Sequence, residues 1–430
     1  MSAEDRAAAD RAAAGAHAVR VFALWAFVIA MPLNLLAMTA AIGLAAAATL
    51  VLFVTRRGEL SRTPLDLPIG LLLLAVGLSL ALGRSDAVVF DSAMSWWPCL
   101  VFFVAFFGTR EEGRRLERFF DVLLAVAAVL AVYSIVQHFT GIDWFNTLLG
   151  GEPRVHRHVL AGEAQRWVAV GRYDRHSNHA FAVLFFLSLA LAQALGRTGS
   201  GASWRELALR WGLVALFGVE LVVTYVRAAW LGAAIGVLVL GAIRGRRTLL
   251  ALMLAGAVVF GAAGAASPSI RAKLLTVFDP QYEANQHRIF LWERSLEMAA
   301  DHPLFGIGWG NYQAVCPEYI DRVDPEFPYK FRAHSLYLNL VAETGLCGAL
   351  AFVFLWIVVF RELIRRLRAR PPGEFEHRLL TAVIVGLTAF LVGSITTDAM
   401  YNGDVSFVLW FLLGAALGRA GPAQQREATS

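Results

Sequence analysis

Charged residues are scarce in this chain of 430 residues, since Asp, Glu, Lys and Arg make up 17% of it while hydrophobic residues make up 58%. A soluble domain has about 25% charged and about 45–50% apolar residues. Cysteine is nearly absent: of the three, Cys99 and Cys347 fall in apolar runs, so we expect no disulfide framework. This composition argues against an ordinary soluble domain and against a small disulfide-stabilised one.

A cleavable signal peptide is also missing from the N-terminal sequence. Residues 1–18 are polar and rich in alanine, and they lack the apolar core that such a peptide needs. We expect residues 1–18 to form a cytoplasmic tail that is either helical or disordered.

Long apolar runs are abundant instead. A helix needs roughly 17–25 apolar residues to cross a bilayer, and the apolar residues of this chain gather in twelve such runs, some of them shorter. We therefore predict an all-α polytopic membrane protein with about twelve transmembrane helices. The predicted spans are 19–38, 40–55, 67–83, 95–109, 119–139, 179–195, 207–225, 229–243, 248–266, 335–360, 378–397 and 405–418.

Basic residues predict the orientation of these spans, because short basic loops stay in the cytoplasm. They cluster in the connections at 56–62, 110–118, 244–247 and 361–378. We predict a single transmembrane domain over 19–418, a cytoplasmic tail over 419–430 and two long outer loops over 140–178 and 267–334. Both termini are then cytoplasmic. The net charge of +5 follows from this arrangement and predicts no nucleic-acid partner.

The second outer loop, which precedes the tenth span, contains a predicted amphipathic helix. Ile289, Trp292, Leu296 and Ala299 recur at helical spacing and form one apolar face. Turn-forming residues within 301–308 then end the helix. We expect this helix to lie near the membrane surface.

Cations gather at the predicted outer face. Arg227 falls in the short connection "VVTYVRAAWLGAA", where a guanidinium group at membrane depth is costly unless it is paired or hydrated. Snorkelling of this side chain towards the headgroups is the structural alternative. Arg288, Arg332 and His334 add further positive or titratable groups. Because guanidinium groups bind phosphate oxygens well, the pattern predicts an anionic lipid ligand, for which a diphosphate headgroup is the natural candidate.

His334 lies at the lip of the tenth predicted span and is a candidate general base, since its ordinary pKa is about 6.5. The alternative is an interfacial histidine bonded to a backbone carbonyl. His287, beside Arg288, has the same chemical capability on weaker grounds, as do the histidines of the first loop. We expect Tyr337 to touch the histidine from i+3. Glu343 lies nine residues further on, and we expect it to bond a neighbouring helix or a buried arginine.

A metal cofactor is not expected. The first outer loop contains four histidines, but their spacing does not match a known metal site. They are His156, His158, His176 and His179. No Asp-x-Asp pair occurs in the chain, so the commonest metal–diphosphate motif of glycosyltransferases is missing.

Three segments resemble, in order, signature elements of the O-antigen ligase and polymerase superfamily. "TYVRAAWLG" (224–232) is similar to its arginine-containing element, and "RIFLWERSLEMAADHPLFGIGWGNY" (288–312) is similar to its outer-loop element. "AHSLYLNLVAETGLCG" (333–348) resembles its histidine element, with Ser335 where asparagine is common. The branch that joins O-antigen to lipid A–core, the WaaL-type ligases, is the closest fit.

The resemblance implies a GT-C-type glycosyltransferase of the bacterial inner membrane that works without a metal. Such an enzyme transfers O-antigen polysaccharide from undecaprenyl diphosphate to lipid A–core in the periplasmic leaflet, and we expect inversion at the anomeric carbon. By position, it implies that Arg227 and Arg288 hold the diphosphate and that His334 is the base. We group Arg332 with the donor-binding residues. We expect four residues to support the site: His287, Trp292, Tyr337 and Glu343.

Other functions compatible with the sequence are O-antigen polymerase, protein O-oligosaccharyltransferase and a transporter of lipid-linked glycans. The first two would use the same donor with a different acceptor. A transporter would favour polar residues deep within several spans, whereas here they gather at the predicted outer face. This distribution favours an enzyme.

Overall fold

The computed structural model describes residues 3–55, 62–83, 98–110, 113–148, 156–157, 167–196, 203–277, 279–320 and 332–418. Most of these residues are helical. The α-helices of this part of the chain are α1 (Ala3–Ala30), α2 (Leu35–Val54), α3 (Asp66–Leu82), α4 (Leu100–Thr109), α5 (Gly113–Thr140), α6 (Trp144–Leu148), α7 (His176–Gly196), α8 (Trp204–Val223), α9 (Arg227–Arg244), α10 (Arg246–Ala266), α11 (Pro268–Leu275), α12 (Glu283–Asp301), α13 (Tyr312–Val315), α14 (Leu336–Arg368), α15 (Phe375–Gly393) and α16 (Gly403–Gly418).

Strand structure in the described residues is limited to one antiparallel pair. β1 (His156–Arg157) pairs with β2 (Trp167–Val168). Short 3-10 turns are found at Cys316–Tyr319, Ser394–Thr396 and Ala399–Tyr401.

Within the described ranges, eight helices are long and apolar enough to cross a membrane: α1, α2, α5, α7, α9, α10, α14 and α15. Three apolar helices, α3, α4 and α16, are shorter. α8 has 20 residues and carries charged side chains. The protein is therefore a polytopic helical membrane protein, as predicted. The first predicted span, 19–38, extends from α1 into α2, and each of the others overlaps one of these helices within the described residues. The number of helices that cross the bilayer stays a prediction.

The boundary between the first two helices differs from the predicted one at residue 39. α1 ends at Ala30, and Asn34 caps α2 by accepting a hydrogen bond from the amide of Ala37 at 2.8 Å. The apolar pattern continues through this turn, so periodicity could not locate it. Pro32 and Asn34, a helix breaker and a good capping residue, mark the true boundary. The segment predicted as a tail is helical from residue 3 onward.

The centre of the bundle is formed by α7, α15 and α16. Every residue of α16 from Asp404 to Gly418 is buried, and this helix packs against α4 and α7. α15 packs against α7 and α9. α10 lies at the other extreme, since only Gly264 is buried in it. Its exposed apolar residues are those expected of a helix that faces lipid.

α14 is interrupted at Gly345, whose φ of 59° is outside the helical range. The segment between α12 and α13, which we call the docked segment, packs against this break. The amide of Ile307 donates to the carbonyl of Ala342 at 2.9 Å, and the amide of Leu346 donates to the carbonyl of Pro303 at 2.8 Å. These bonds satisfy backbone groups at the break, which a membrane protein cannot leave exposed to lipid.

Close packing at this break explains two glycines of the family-like motifs. A Cβ atom on Gly345 would lie 2.5 Å from the backbone of Leu304, and one on Gly306 would lie 2.3 Å from the backbone of Glu343. Both glycines also have positive φ angles. Any larger residue would push the docked segment away from α14.

Candidate active site

Arg227 joins three helices. It is the first residue of α9, and the turn before it contains Tyr225 at a φ of 57°. Its Nη1 donates to the carbonyl of Thr276 at the C-terminus of α11, and its Nη2 donates to Oδ1 of Asn285 in α12 at 2.8 Å. The guanidinium carbon lies 4.9 Å from the ring centroid of Tyr282. These contacts hold Arg227 where α9, α11 and α12 meet.

Two more cations lie at the same junction. Arg227 binds Thr276 at the end of α11 and Asn285 in α12. Lys273 precedes Thr276 by one helical turn, and Arg288 follows Asn285 by one turn. Each of these two cations therefore lies on the side of its helix that faces Arg227. Burial, followed by the positive charges of Arg227 and Arg288, lowers the pKa of Lys273 to about 8. We call Arg227, Lys273 and Arg288 the cation cluster.

His334 lies in a segment that is held from two sides. Nε1 of Trp292 in α12 donates to the carbonyl of Ala333 at 2.9 Å. The amide of Leu336, the first residue of α14, donates to the carbonyl of Thr397 at 2.9 Å. His334 itself has a positive φ of 46°, which is uncommon for a residue with a side chain and is found most often where function requires it.

Side chains from three parts of the chain act electrostatically on the imidazole of His334. The ring of His287 lies 6.5 Å away between centroids. Burial lowers the pKa of His334, the carboxylate of Asp398 raises it, and Arg288, His287 and Arg175 lower it. The net effect is a pKa below the ordinary value of about 6.5. The ring is therefore mostly neutral at pH 7, and a neutral imidazole can accept a proton.

Arg332 binds other protein groups. Its Nη1 lies 3.5 Å from Oδ2 of Asp398, and its guanidinium carbon lies 5.4 Å from the ring centroid of Tyr401. Tyr401 in turn stacks on Trp309 at 4.9 Å. The ion pair places Arg332 next to the carboxylate that acts on His334. A direct contact of Arg332 with a donor stays a prediction.

Glu343 is buried in α14 and joins it to two other segments. Its Oε1 accepts a hydrogen bond from the amide of Tyr312 at 3.3 Å, and its Oε2 accepts one from the hydroxyl of Tyr401 at 3.1 Å. Its carbonyl accepts a bond from the hydroxyl of Ser79 in α3. These contacts give Glu343 a structural role at the docked segment.

The helical basis of the expected contact between Tyr337 and the histidine does not hold, and the contact itself stays a prediction. The i+3 rule requires both residues to be in one helix, and His334 lies before α14 begins at Leu336. The hydroxyl of Tyr337 donates to the carbonyl of Leu391 at the end of α15 at 2.7 Å, and its ring packs edge-on against Phe352. Tyr337 therefore joins α14 to α15.

The predicted amphipathic helix is α12, and its position near the membrane surface stays a prediction. The helix ends at Asp301, close to where the turn-forming residues predict, and Ile289 and Leu296 of its predicted apolar face are 41% and 56% exposed, so protein does not cover this face. Leu291 and Met298 are fully buried instead. They pack in a cluster with residues of the docked segment and α14, and this contact determines which face of α12 is covered.

The first predicted outer loop contributes Arg175, which acts electrostatically on His334. His179 lies in the helical bundle, where its Nε2 is 2.7 Å from Oγ of Ser134 and 3.2 Å from Oε1 of Glu220. Its contacts make it a structural group. The histidine at 158 and the arginines at 154 and 166 lie outside the described residues, as do the side chains of residues 156 and 157.

Sequence reasoning missed two charged residues of the site. Lys273 stands inside the second predicted outer loop, and Asp398 follows the eleventh predicted span. A carboxylate at the end of an apolar span was a usable signal for Asp398. Lysine is rare in this chain, and that rarity was a signal for Lys273.

A metal site is not evident in the part of the chain that the structure describes, where no group of three or more His, Cys, Asp or Glu side chains is placed to hold an ion. The expectation that the protein works without a metal stays a prediction. The cations present are suited to an anionic ligand.

Residues 212–353 match the sequence profile of a family described as O-antigen ligase. Over 132 residues the chain is 26% identical to the exopolysaccharide production protein ExoQ of Rhizobium meliloti (strain 1021), and this match covers 30% of each of the two proteins. The profile segment contains the cation cluster and His334. The resemblance seen in the three sequence elements is thereby confirmed as a match to this family over residues 212–353.

Proposed function

We propose that the protein is an O-antigen ligase, which transfers O-antigen polysaccharide from undecaprenyl diphosphate to lipid A–core during lipopolysaccharide biosynthesis. The observation that carries the proposal is the meeting of Arg227, Arg288 and His334, three residues from separate elements, at one place in the fold. A cation pair beside a neutral imidazole suits an anionic leaving group and an alcohol acceptor.

In this reaction the cations bind the diphosphate of the donor. The acceptor hydroxyl gives its proton to His334 as its oxygen attacks the anomeric carbon of the donor sugar. The bond between that carbon and the diphosphate oxygen breaks, and undecaprenyl diphosphate leaves with the bonding electron pair. Arg227 and Arg288 stabilise the charge that develops on the leaving group. A single displacement of this kind inverts the configuration at the anomeric carbon.

The proposal also assigns the protein to the GT-C class of glycosyltransferases and places its active site at the membrane surface. The positive-inside pattern supports both termini in the cytoplasm and the cation cluster on the periplasmic side of the inner membrane. Both substrates are then lipids of one leaflet, and this confinement contributes proximity to the reaction.

A polymerase that joins glycan repeats on the same kind of donor is the second candidate. It is favoured by the similarity to a protein of exopolysaccharide production. The donor site would be the same, and the acceptor would be a lipid-linked glycan in place of lipid A–core.

The test is the lipopolysaccharide gel of a strain that lacks the gene, complemented with the wild type, His334→Ala or Arg271→Ala, where Arg271 is an exposed control in α11. A ligase predicts bare core and polymer retained on undecaprenyl diphosphate in the deletion strain and with His334→Ala. Core carrying one repeat would support the polymerase instead. Unchanged lipopolysaccharide would contradict both the ligase and an O-antigen polymerase.

A further inference from the structure

Lysine is nearly absent from this protein. Of the 38 basic residues Lys and Arg, only Lys273 and Lys330 are lysines, and the remaining 36 (38 minus 2) are arginines. Arginine is the residue of choice for ion pairs with carboxylates, while lysine is a compact point charge with three donors that can rotate. The position of Lys273 is therefore unusual in this chain.

Lys273 lies close to Arg227 and Arg288, whose positive charges act on it. Arg227 donates to the carbonyl and the hydroxyl of Thr276, and the same carbonyl accepts from Nδ2 of Asn285 at 3.2 Å. Lys273 precedes Thr276 by three residues, and Arg288 follows Asn285 by three. Residues three apart share a helix face. Lys273 and Arg288 therefore flank Arg227, one from α11 and one from α12.

The two flanking cations differ from Arg227 in their contacts within the described part of the chain. Among the side chains that the structure describes, none forms a hydrogen bond or an ion pair with the ammonium of Lys273 or the guanidinium of Arg288. Arg227 differs, since protein oxygens already use its Nη1 and Nη2. The positive charges of Arg227 and Arg288 act unfavourably on the charged form of Lys273. An anion bound between these cations would therefore stabilise the arrangement.

We propose that Lys273 is a third diphosphate-binding residue, which donates to a phosphate oxygen of the donor together with Arg288. The proposal rests on the proposed function for the identity of the donor. In it, Arg227 is held in place by Thr276 and Asn285 and binds the diphosphate with its remaining N–H groups, whereas the donors of Lys273 and Arg288 are available to the ligand. A point charge on a flexible stem follows the diphosphate as charge develops on it during bond cleavage.

A phosphodiester headgroup of a bulk anionic lipid offers related chemistry, so the test separates the two sources. The full-length protein is reconstituted in nanodiscs of zwitterionic phosphatidylcholine, and binding of undecaprenyl diphosphate is titrated with and without added phosphatidylglycerol. The variants are Lys273→Ala, Lys273→Arg, Arg288→Ala and the exposed neighbour Arg271→Ala.

Lys273→Ala is expected to weaken undecaprenyl diphosphate binding by about 10- to 100-fold, the effect of losing one hydrogen bond between charged groups. Lys273→Arg retains the charge and is expected to bind within severalfold of the wild type, and Arg271→Ala is expected to bind as the wild type does. Equal affinity of Lys273→Ala and Arg271→Ala would overturn the proposal. So would full competition by phosphatidylglycerol, because the site would then be one for bulk lipid.

Failure of the proposed function has a different signature. If the wild type and Arg288→Ala bind undecaprenyl diphosphate equally, the donor site itself is absent. If Arg288→Ala loses binding while Lys273→Ala retains it, the donor site stands and only the role of Lys273 falls.

A second measurement covers the case in which Lys273→Ala does not fold. In a Lys330→Arg background, Lys273 is the sole lysine, so mass spectrometry after treatment with an amine-specific reagent reports on it directly. Undecaprenyl diphosphate is expected to slow modification of Lys273 at least several-fold. An unchanged rate of modification at saturating undecaprenyl diphosphate would overturn the proposal.

Discussion

Two arginines of this protein show opposite environments. Arg172 is buried with its side chain 5% exposed, and its Nη1 lies 2.6 Å from Oδ1 of Asp404. Its Nε and Nη2 donate to the carbonyls of Pro32 and Met31 at 2.8 and 2.9 Å. Arg288 has no such acceptor among the described side chains and lies beside two more cations. The difference separates an arginine that holds the fold together from one that is available to a ligand.

The comparison has an energetic consequence. A buried ion pair such as Arg172 with Asp404 becomes strongly unfavourable when one partner is removed, because the other charge is then left uncompensated. A cluster of like charges behaves in the opposite way, because removing one member relieves repulsion. Mutations in the two places should therefore affect different observables, stability in one and donor binding in the other.

The largest effect is expected at His334. His334→Ala removes the proposed base, and loss of general-base catalysis lowers a rate by about 10²- to 10⁴-fold. Donor binding should remain, since the cation cluster is intact. Transfer from purified undecaprenyl diphosphate-linked glycan to lipid A–core is the measurement, with Arg271→Ala as control. A wild-type transfer rate in His334→Ala would contradict the assignment.

The next effect concerns stability and tests the first half of the comparison. Asp404→Ala leaves the buried guanidinium of Arg172 without its carboxylate, so we expect a loss of about 3–5 kcal/mol in the free energy of unfolding. A lower Tm of the purified protein in detergent would show it. Donor affinity measured at low temperature should be unaffected. An unchanged Tm would mean that Arg172 is not a structural ion pair.

Arg288→Ala tests the second half of the comparison. We expect donor affinity to fall by about 10- to 100-fold, because a hydrogen bond between charged groups is lost. The Tm should stay the same or rise, since a like charge leaves the cation cluster. Arg288→Lys restores charge without the planar fork and should recover only part of the affinity. A large drop in Tm without loss of binding would reverse the roles assigned to Arg172 and Arg288.

The smallest effect is a dependence on pH. The pKa of Lys273 is about 8, so its charge is present below pH 8 and is lost as the pH rises above it. We expect kcat/KM to fall by up to about tenfold at pH 9. The opposite limb belongs to His334, whose lowered pKa places the loss of activity below about pH 6.5.

Lys273→Arg provides the control for the alkaline limb, because arginine stays charged throughout this range. The fall above pH 8 should disappear in this variant while the acid limb is unchanged. An alkaline limb that persists in Lys273→Arg must come from a different group.

Much of the fold could be predicted because apolar runs and helix terminators are local signals. The helix that ends at Asp301 and the short turn before Arg227 were found from the sequence in this way. The break at Gly345 was not found, since a glycine inside an apolar run is also compatible with an unbroken helix. Only the docking of the segment around Gly306 makes the break necessary.

The sequence predicted the kind of chemistry that the site supports, but it did not identify all of the residues in the site. Arg227, Arg288 and His334 could be selected because they stand at the ends of apolar spans or in family-like motifs. Lys273 comes close to Arg227 and Arg288, and Asp398 comes close to His334, only in the folded protein. Spacing along the chain carries no such information.

The most direct test of the central claim is the structure of the full-length protein in a lipid nanodisc with undecaprenyl diphosphate bound. The account predicts the two phosphates within hydrogen-bond distance of Arg288 and Lys273, with Arg227 between them and the end of the diphosphate directed towards His334. A diphosphate bound elsewhere, with the cation cluster occupied by carboxylates of the protein, would contradict it.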